Sequence, residues 1–173
     1  MSVPKVAVIL GSASDWDAAR PCVDTLRSLG IAADVRVMSA HRTPQDVAVF
    51  AQGARAAGYS VLIAAAGKAA HLAGAVAART TLPVIGIPMQ SSLMGGLDAL
   101  LSTAQMPAGI PVATVAVGGA ENAALLAAQI LAVTDASLAD TLEEHRRRLA
   151  RAVADADAAL QTRLQGGAQG GST

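Results

Sequence analysis

The 173-residue sequence has little charge, few aromatic side chains and almost no cysteine. Charged residues make up 15% of the chain, against about 25% in an average soluble protein, and aromatic residues make up 2%. A chain that is 53% hydrophobic is too apolar to be an intrinsically disordered protein. Thirteen basic and thirteen acidic side chains cancel, so no basic field attracts a phosphate backbone. Because aromatic platforms for stacking bases are also scarce, we expect no nucleic-acid partner.

Cys22 is the one cysteine, which provides neither a disulfide framework nor a set of metal ligands. The sequence also lacks the H-E-x-x-H, Walker A and G-x-S-x-G motifs, so an enzyme of this sequence would work without a metal or organic cofactor. No apolar run approaches the roughly 18 residues that a membrane span needs. The apolar stretch 6–10 is too short for a signal-peptide core. We therefore expect no cofactor, no membrane partner and a cytoplasmic location.

Short apolar runs rich in valine and isoleucine alternate with longer segments of helical pattern, which is typical of an α/β protein. Strands are predicted at 5–10, 31–38, 59–66, 84–87 and 112–117. Helices are predicted at 15–29, 44–58, 69–79, 97–104 and 121–133. This alternation predicts a three-layer αβα sandwich around a five-stranded parallel sheet, in the flavodoxin-like strand order 2-1-3-4-5.

A stripe of leucine and valine at helical spacing follows the last predicted strand. It consists of Leu138, Leu142, Leu149, Val153, Leu160 and Leu164. A helix here has no sheet left to cover, so we expect it to pack on a neighbouring subunit. The scarcity of charge has two explanations, an alanine-rich surface or burial between subunits, and we favour the second. We expect residues 1–164 to form one domain and the glycine-rich residues 165–173 to form a flexible tail.

Polar residues concentrate in the loops that follow the strands, where ligands of parallel α/β sheets bind. After the first strand, Ser12 and Ser14 stand at a helix start and can hold a phosphate, while Asp15 can accept hydrogen bonds from ribose hydroxyls. Helix capping by Ser14 or Asp15 explains the same residues equally well. After the second strand, Arg42 can contact a phosphate with two hydrogen bonds and His41 can move a proton near neutral pH. A capped turn with solvated side chains is the alternative there, and we favour function.

The loop after the third strand is rich in small residues, which let a ligand reach the backbone. Gly67 and the N–H groups that follow it can bind a carboxylate, or the small residues can simply form a seam where helix packs on sheet. His71 can equally be a hydrogen-bonded packing residue. The loop 90–96 lies at the same edge of the predicted sheet and can form a lid or a wall.

Five stretches, in this order along the chain, carry a resemblance to a known family: GSASDW at 11–16, SAHRTP at 39–44, AAHL at 69–72, QMP at 105–107 and NAALLAAQ at 122–129. Over about residues 4–150 the sequence resembles the class I PurE family, the N5-carboxyaminoimidazole ribonucleotide mutases of purine biosynthesis. The resemblance implies a carboxylate transfer from an exocyclic nitrogen to a ring carbon of the aminoimidazole. It also implies a homo-octamer that uses no metal or organic cofactor.

The resemblance implies a role for each residue that matches a family motif. His41 is implied to be the general acid/base. The ribose phosphate is implied to be held by Ser12, Asp15 and Arg42, with help from Ser14 and Ser39. The imidazole and carboxylate pocket is implied to be lined by Gly67, His71 and Leu72.

Lys68, Ala65 and Ala73 depart from the family's usual pattern in the third loop. Lys68, one of two lysines, either faces solvent, which the sequence favours, or adds a cation near the substrate carboxylate. Two other functions stay open: direct carboxylation of aminoimidazole ribonucleotide with CO2, and a non-catalytic flavodoxin-like nucleotide-binding module. The Ala70-His71-Leu72 stretch favours the mutase over direct carboxylation.

Overall fold

The computed structural model describes residues 5–92 and 94–168 of the chain. Its strands are β1 Lys5–Leu10, β2 Ala32–Val37, β3 Tyr59–Ala66, β4 Val84–Pro88 and β5 Ala113–Thr114. Its α-helices are α1 Trp16–Ser28, α2 Pro44–Gly53, α3 Leu72–Ala77, α4 Leu97–Ala104, α5 Ala120–Ala132 and α6 Ala136–Ala168. The predicted ranges of β1, β3 and α4 agree with these bounds residue for residue.

The five strands form one parallel sheet in the order β2-β1-β3-β4-β5, flanked by helices. The predicted fold class and strand order are therefore confirmed. In the centre of the sheet Val8 of β1 stands opposite Val35 of β2 on one side and Ile63 of β3 on the other. Residues 6–10 of β1 are at most 1% exposed, because a parallel strand covered on both faces loses all contact with water.

The outer strand β5 is much shorter than the predicted segment 112–117. It pairs with β4 only through Ala113 and Thr114. Beyond them Val115 still donates to the Gly86 carbonyl, and Gly118 donates to the Pro88 carbonyl. Because Pro88 has no N–H, β4 cannot donate to a regular ladder at this end.

Two predicted helices are also shorter than expected, because turns replace helical backbone at one end of each. The second predicted helix, 44–58, gives way after Gly53 to turns that end at Gly58, whose φ is +85°. The third, predicted to begin at 69, begins at Leu72. Before it, the N–H of Ala70 donates to Lys68 and that of His71 donates to Ala69, which are bonds across two residues instead of four.

The chain divides into two compact units, residues 1–131 and 132–173. The first unit contains the sheet, α1 to α4 and nearly all of α5. In the second unit α6 spans 33 residues, and on it Arg147 forms ion pairs with Glu143 and Glu144. The helix continues to Ala168, into the segment predicted to be a tail, and the rest of that segment lies outside the described residues. Within the described ranges no helix is both long and apolar enough to cross a membrane.

Candidate active site

A cleft of about 670 Å³ lies where β1, β2, β3 and β4 end at their carboxyl termini. This volume falls in the range of small-molecule sites, about 300–1,000 Å³. All nine residues singled out from the sequence line it: Ser12, Ser14, Asp15, Ser39, His41, Arg42, Gly67, His71 and Leu72. Three loops far apart in sequence meet here because their strands are neighbours in the sheet order β2-β1-β3.

The two histidines of the cleft contact each other. Nε2 of His41 lies 2.9 Å from Nδ1 of His71, and the two rings meet edge to face with centroids 5.0 Å apart. Of two ring nitrogens at this distance one donates and the other accepts, so a single proton lies between them. Each ring therefore restricts the tautomer and the orientation of the other.

Arg42 connects the loop that carries His41 to the end of β1. Its guanidinium donates from Nη2 to the carbonyl of Gly11 at 2.9 Å and from Nε to the hydroxyl of Ser39 at 3.3 Å. The Ser39 hydroxyl also accepts a hydrogen bond from the backbone N–H of Arg42. Two of the five N–H donors of the guanidinium are used in this way, and the others are available to an anion in the cleft.

The first loop presents hydroxyl groups at the start of a short 3-10 turn, Ala13–Asp15, that leads into α1. Ser12 caps this turn, since its Oγ accepts from the backbone N–H of Ser14, and the hydroxyl of Ser14 donates to the same oxygen at 2.8 Å. Asp15 is the N-cap residue of α1, but its side chain makes no capping hydrogen bond. Capping therefore accounts for Ser12 and leaves the carboxylate of Asp15 for another role.

The carboxyl group of Asp15 is half-buried beside the cleft. Burial raises its pKa, because the charged form loses hydration, while a hydrogen bond with the Ser12 backbone and the charge of Arg42 act in the opposite direction. A carboxylate held this way is costly in the free protein and gains from donors supplied by a ligand. Ribose hydroxyls are donors of that kind.

The third loop brings small residues and one cation to the cleft. Lys68 has φ +57°, in the left-handed region that costs a residue with a side chain about 1–2 kcal/mol. Gly67 faces Met89, and a Cβ added to Gly67 would lie 3.4 Å from the Met89 Cβ. Leu72 is 2% exposed, so it forms part of the apolar floor beneath the loop.

Some residues of the cleft were not in the set predicted from the sequence. They are Gly11, Ala40, Ala66, Lys68, Ala69, Met89, Gln90, Ser91 and Ser92. The last four follow β4, and three of them belong to the loop 90–96, which the sequence predicts at this edge of the sheet as a lid or a wall but without a binding role. The hydrogen bond between His41 and His71 had no sequence signal, because it joins residues 30 positions apart.

Comparisons with known proteins bear on this cleft. A family model described as AIR carboxylase matches residues 5–152. The N5-carboxyaminoimidazole ribonucleotide mutase of Brucella melitensis biotype 1 is 55% identical over 152 residues, which cover 87% of this chain and 94% of that protein. The N5-carboxyaminoimidazole ribonucleotide mutase of Saccharolobus solfataricus is 50% identical over 163 residues, or 94% of this chain and 99% of that protein. The crystal structure of Treponema denticola PurE is similar with a TM-score of 0.84 at 31% identity, and the match covers 91% of this chain and 98% of that one.

Proposed function

The chain belongs to the AIR carboxylase family, and we propose that its cleft binds N5-carboxyaminoimidazole ribonucleotide with His41 as the group that moves the proton. The activity is that of an isomerase of purine biosynthesis, which forms 4-carboxy-5-aminoimidazole ribonucleotide. The family description alone is compatible with direct carboxylation of aminoimidazole ribonucleotide. Two relatives that are 55% and 50% identical, over 87% and 94% of this chain, are named N5-carboxyaminoimidazole ribonucleotide mutase. Their names favour the isomerase over the direct carboxylase.

The phosphate end of the substrate belongs at the first two loops. The guanidinium of Arg42 supplies charge and spare donors, and the hydroxyls of Ser12 and Ser14 lie beside a helix start. Asp15, whose carboxylate gains from hydrogen-bond donors, accepts from the ribose hydroxyls. Binding the sugar phosphate here fixes the position of the base, which is how a non-reacting part of a substrate contributes to the rate.

The reaction moves one carboxylate and one proton. The bond between the exocyclic nitrogen and the carboxylate carbon breaks, CO2 is released, and the nitrogen takes up a proton. CO2 then forms a bond with the ring carbon, and that carbon loses its own proton. His41 donates the first proton and accepts the second, so the imidazole ends in the state in which it began.

The hydrogen bond between Nε2 of His41 and Nδ1 of His71 is the observation that carries this proposal. It holds the imidazole of His41 in one orientation within the cleft that also contains the phosphate-binding residues. The neighbouring wall is made of Ala66, Gly67 and Leu72. Such apolar walls retain CO2 and exclude the water that would compete for it.

The test is an assay of the purified chain with N5-carboxyaminoimidazole ribonucleotide and, separately, with aminoimidazole ribonucleotide plus bicarbonate. We expect turnover of the first and little of the second. His41→Asn should lower turnover of the first at least 100-fold, since a placed acid/base contributes about 10²–10⁴-fold.

The matched control is His145→Asn, because His145 is the third histidine of the chain and lies on α6. It should keep near wild-type turnover, and circular dichroism should be the same for all three proteins. Near-normal rates in His41→Asn would remove this residue from the reaction. Turnover only with bicarbonate would make the enzyme a direct carboxylase.

We further propose that the chain assembles with copies of itself, as a homo-octamer, and that α6 provides part of the contact. Four apolar side chains of α6, Leu149, Val153, Leu160 and Leu164, are 43–72% exposed. An apolar stripe of this length on a helix favours contact with a partner. Cytoplasmic residence stays a prediction from the sequence.

A further inference from the structure

Lys68 is an unpaired cation at the edge of the cleft. The other lysine, Lys5, forms an ion pair with Asp34 at 2.7 Å and lies over the ring of Tyr59. The ammonium group of Lys68 has neither an ion pair nor a hydrogen bond with any residue in the described part of the chain. An ammonium group without a hydrogen bond or an ion pair in the described part of the chain is available to a ligand.

The position of Lys68 distinguishes it from Arg42. It lines the cleft and also a smaller cavity of about 430 Å³, which it shares with Ser91 and Ser92 at the end of β4. Arg42 comes from the loop after β2, and Lys68 comes from the loop after β3, so β1 lies between their two strands in the sheet. The two cations therefore reach the cleft from loops on either side of β1.

No acidic side chain in the described part of the chain forms an ion pair with the ammonium group of Lys68. Among the residues that line the cleft, the formal charges are those of Asp15, Arg42 and Lys68, and Arg42 acts electrostatically on Asp15. Among the residues that line the smaller cavity, Asp98 is the acidic one. Its carboxylate accepts a hydrogen bond from Ser91 at 2.9 Å and forms no ion pair with Lys68.

The backbone at Lys68 is a further sign that its side chain has a use. Residues other than glycine rarely adopt a φ of +57°, and such conformations cluster at ligand sites. Glycine would fit here without strain. The tight turn that follows, in which Lys68 accepts from the N–H of Ala70, directs the chain from β3 into the loop that ends at His71.

We propose that Lys68 binds the carboxylate that the reaction moves, and thereby makes the cleft prefer carboxylated nucleotides. This assignment rests on the proposed function, in which the substrate carries one anion at each end, and Arg42 takes the phosphate. An ammonium group attracts the carboxylate of substrate and product but not neutral CO2. Lys68 therefore stabilises the two carboxylated states relative to the state in which CO2 is free.

The experiment compares two ligands that differ only in the carboxylate: 4-carboxy-5-aminoimidazole ribonucleotide and aminoimidazole ribonucleotide in CO2-free buffer. Calorimetric titration measures both with the full-length wild-type chain and with Lys68→Met, which removes the charge and keeps the side-chain length. We expect the carboxylated ligand to bind about 10- to 100-fold more weakly to the variant, the range for a lost hydrogen bond to a charged group. Binding of aminoimidazole ribonucleotide should change less than about twofold.

Three further variants serve as controls. Lys68→Arg keeps the cation and should keep most of the discrimination. Lys68→Gly removes the cation and relieves the backbone, so it should fold at least as stably as the wild type and lose the discrimination. Arg27→Met removes an exposed cation of α1 and should change neither affinity.

The outcomes separate this proposal from the one on which it rests. Equal weakening of both ligands by Lys68→Met would assign Lys68 to the phosphate, and unchanged binding of both would place the side chain in solvent; each overturns the proposal. Failure of the wild-type chain to bind either nucleotide would overturn the proposed function itself. Two results together support both proposals: turnover of the substrate by the wild type, and weaker binding of the carboxylated nucleotide alone by Lys68→Met and Lys68→Gly.

Discussion

At the scale of single residues, the site depends on side chains that hold one another in place. His41 contacts His71, and Arg42 contacts both Ser39 and the Gly11 carbonyl. These contacts join groups of the protein itself, so they restrict the orientations open to the imidazole and the guanidinium. Preorganisation of this kind is what allows positioning to contribute to the rate.

Asp15 is the residue at which the proposed binding of ribose hydroxyls opposes the stability of the fold. Its pKa is raised mainly by burial, so the folded protein favours the protonated form. A group with a raised folded-state pKa contributes its full stability below the unfolded value of 3.8 and loses it as the pH rises through the folded value. At neutral pH the ionised Asp15 therefore lowers the stability of the free protein.

We predict that Asp15→Asn raises the melting temperature at pH 7 and that this gain shrinks as the pH falls toward 4. The same variant should bind the substrate about tenfold more weakly, because an amide is a poorer acceptor than a carboxylate for ribose hydroxyls. Thermal unfolding across the pH range and substrate titration measure the two effects. Asp17→Asn, on the exposed side of the first turn of α1, is the control and should show neither effect. A lower melting temperature for Asp15→Asn at pH 7 would contradict the assigned cost of burial.

At the scale of secondary-structure elements, close packing of α4 on β4 depends on one glycine. A Cβ added at Gly86 of β4 would collide with Cγ2 of Thr103 on α4, and it would lie 3.2 Å from Val112 Cγ1. Thr103 is 2% exposed, and its hydroxyl donates to the Ala99 carbonyl within the same helix. The methyl group therefore fills the space that the missing side chain leaves.

We predict that Gly86→Ala destabilises the protein by about 1–3 kcal/mol, the usual cost of overpacking a buried site. Adding Thr103→Ser removes Cγ2, keeps the hydroxyl and should restore part of this loss. Urea unfolding of the single and double variants measures both. Gly53→Ala, at the end of α2 where a Cβ would meet nothing within 4 Å, should be neutral or stabilising. A double variant no more stable than Gly86→Ala would show that the Thr103 methyl group is not the obstacle.

The bounds of the elements could be predicted well where the pattern was long and apolar. The ranges of β1 and β3 followed from runs rich in valine, isoleucine and alanine, which are typical of a parallel strand covered on both faces. The start of α3 could not be found in this way. Its first predicted turn, at 69–71, has helix-compatible residues, but the hydrogen bonds there close over two residues because the loop turns sharply after Lys68.

At the scale of the whole molecule, the apolar stripe of α6 has a regular repeat. Leu138, Leu149 and Leu160 are separated by eleven residues, as are Leu142, Val153 and Leu164. Eleven residues make three turns at about 3.67 residues per turn, close to the helix value of about 3.6, so the stripe stays almost parallel to the helix axis. A straight stripe on a 33-residue helix suits contact with another long helix.

We predict that Leu149→Glu combined with Leu160→Glu lowers the mass of the particle in solution, because the new charges would be buried in the contact between copies. Light scattering after size exclusion measures the mass. The control is Ala154→Glu combined with Ala158→Glu, which adds the same charge to the other side of α6, where exposed residues surround it. The control should keep the wild-type mass. An unaltered mass in the leucine variant would exclude this stripe from the assembly.

The order of strands and helices, the fold class and the loops that line the cleft could be predicted from the sequence alone. Those features depend on local periodicity and on the rule that parallel strands end at one edge of the sheet. Three features are visible only in the folded chain: the contact of His41 with His71, the hydrogen bond of Arg42 to Gly11 and the place of Lys68 in the cleft. The first two contacts join residues 30 and 31 positions apart, so they depend on the register of neighbouring strands and on loop geometry, neither of which a linear pattern specifies.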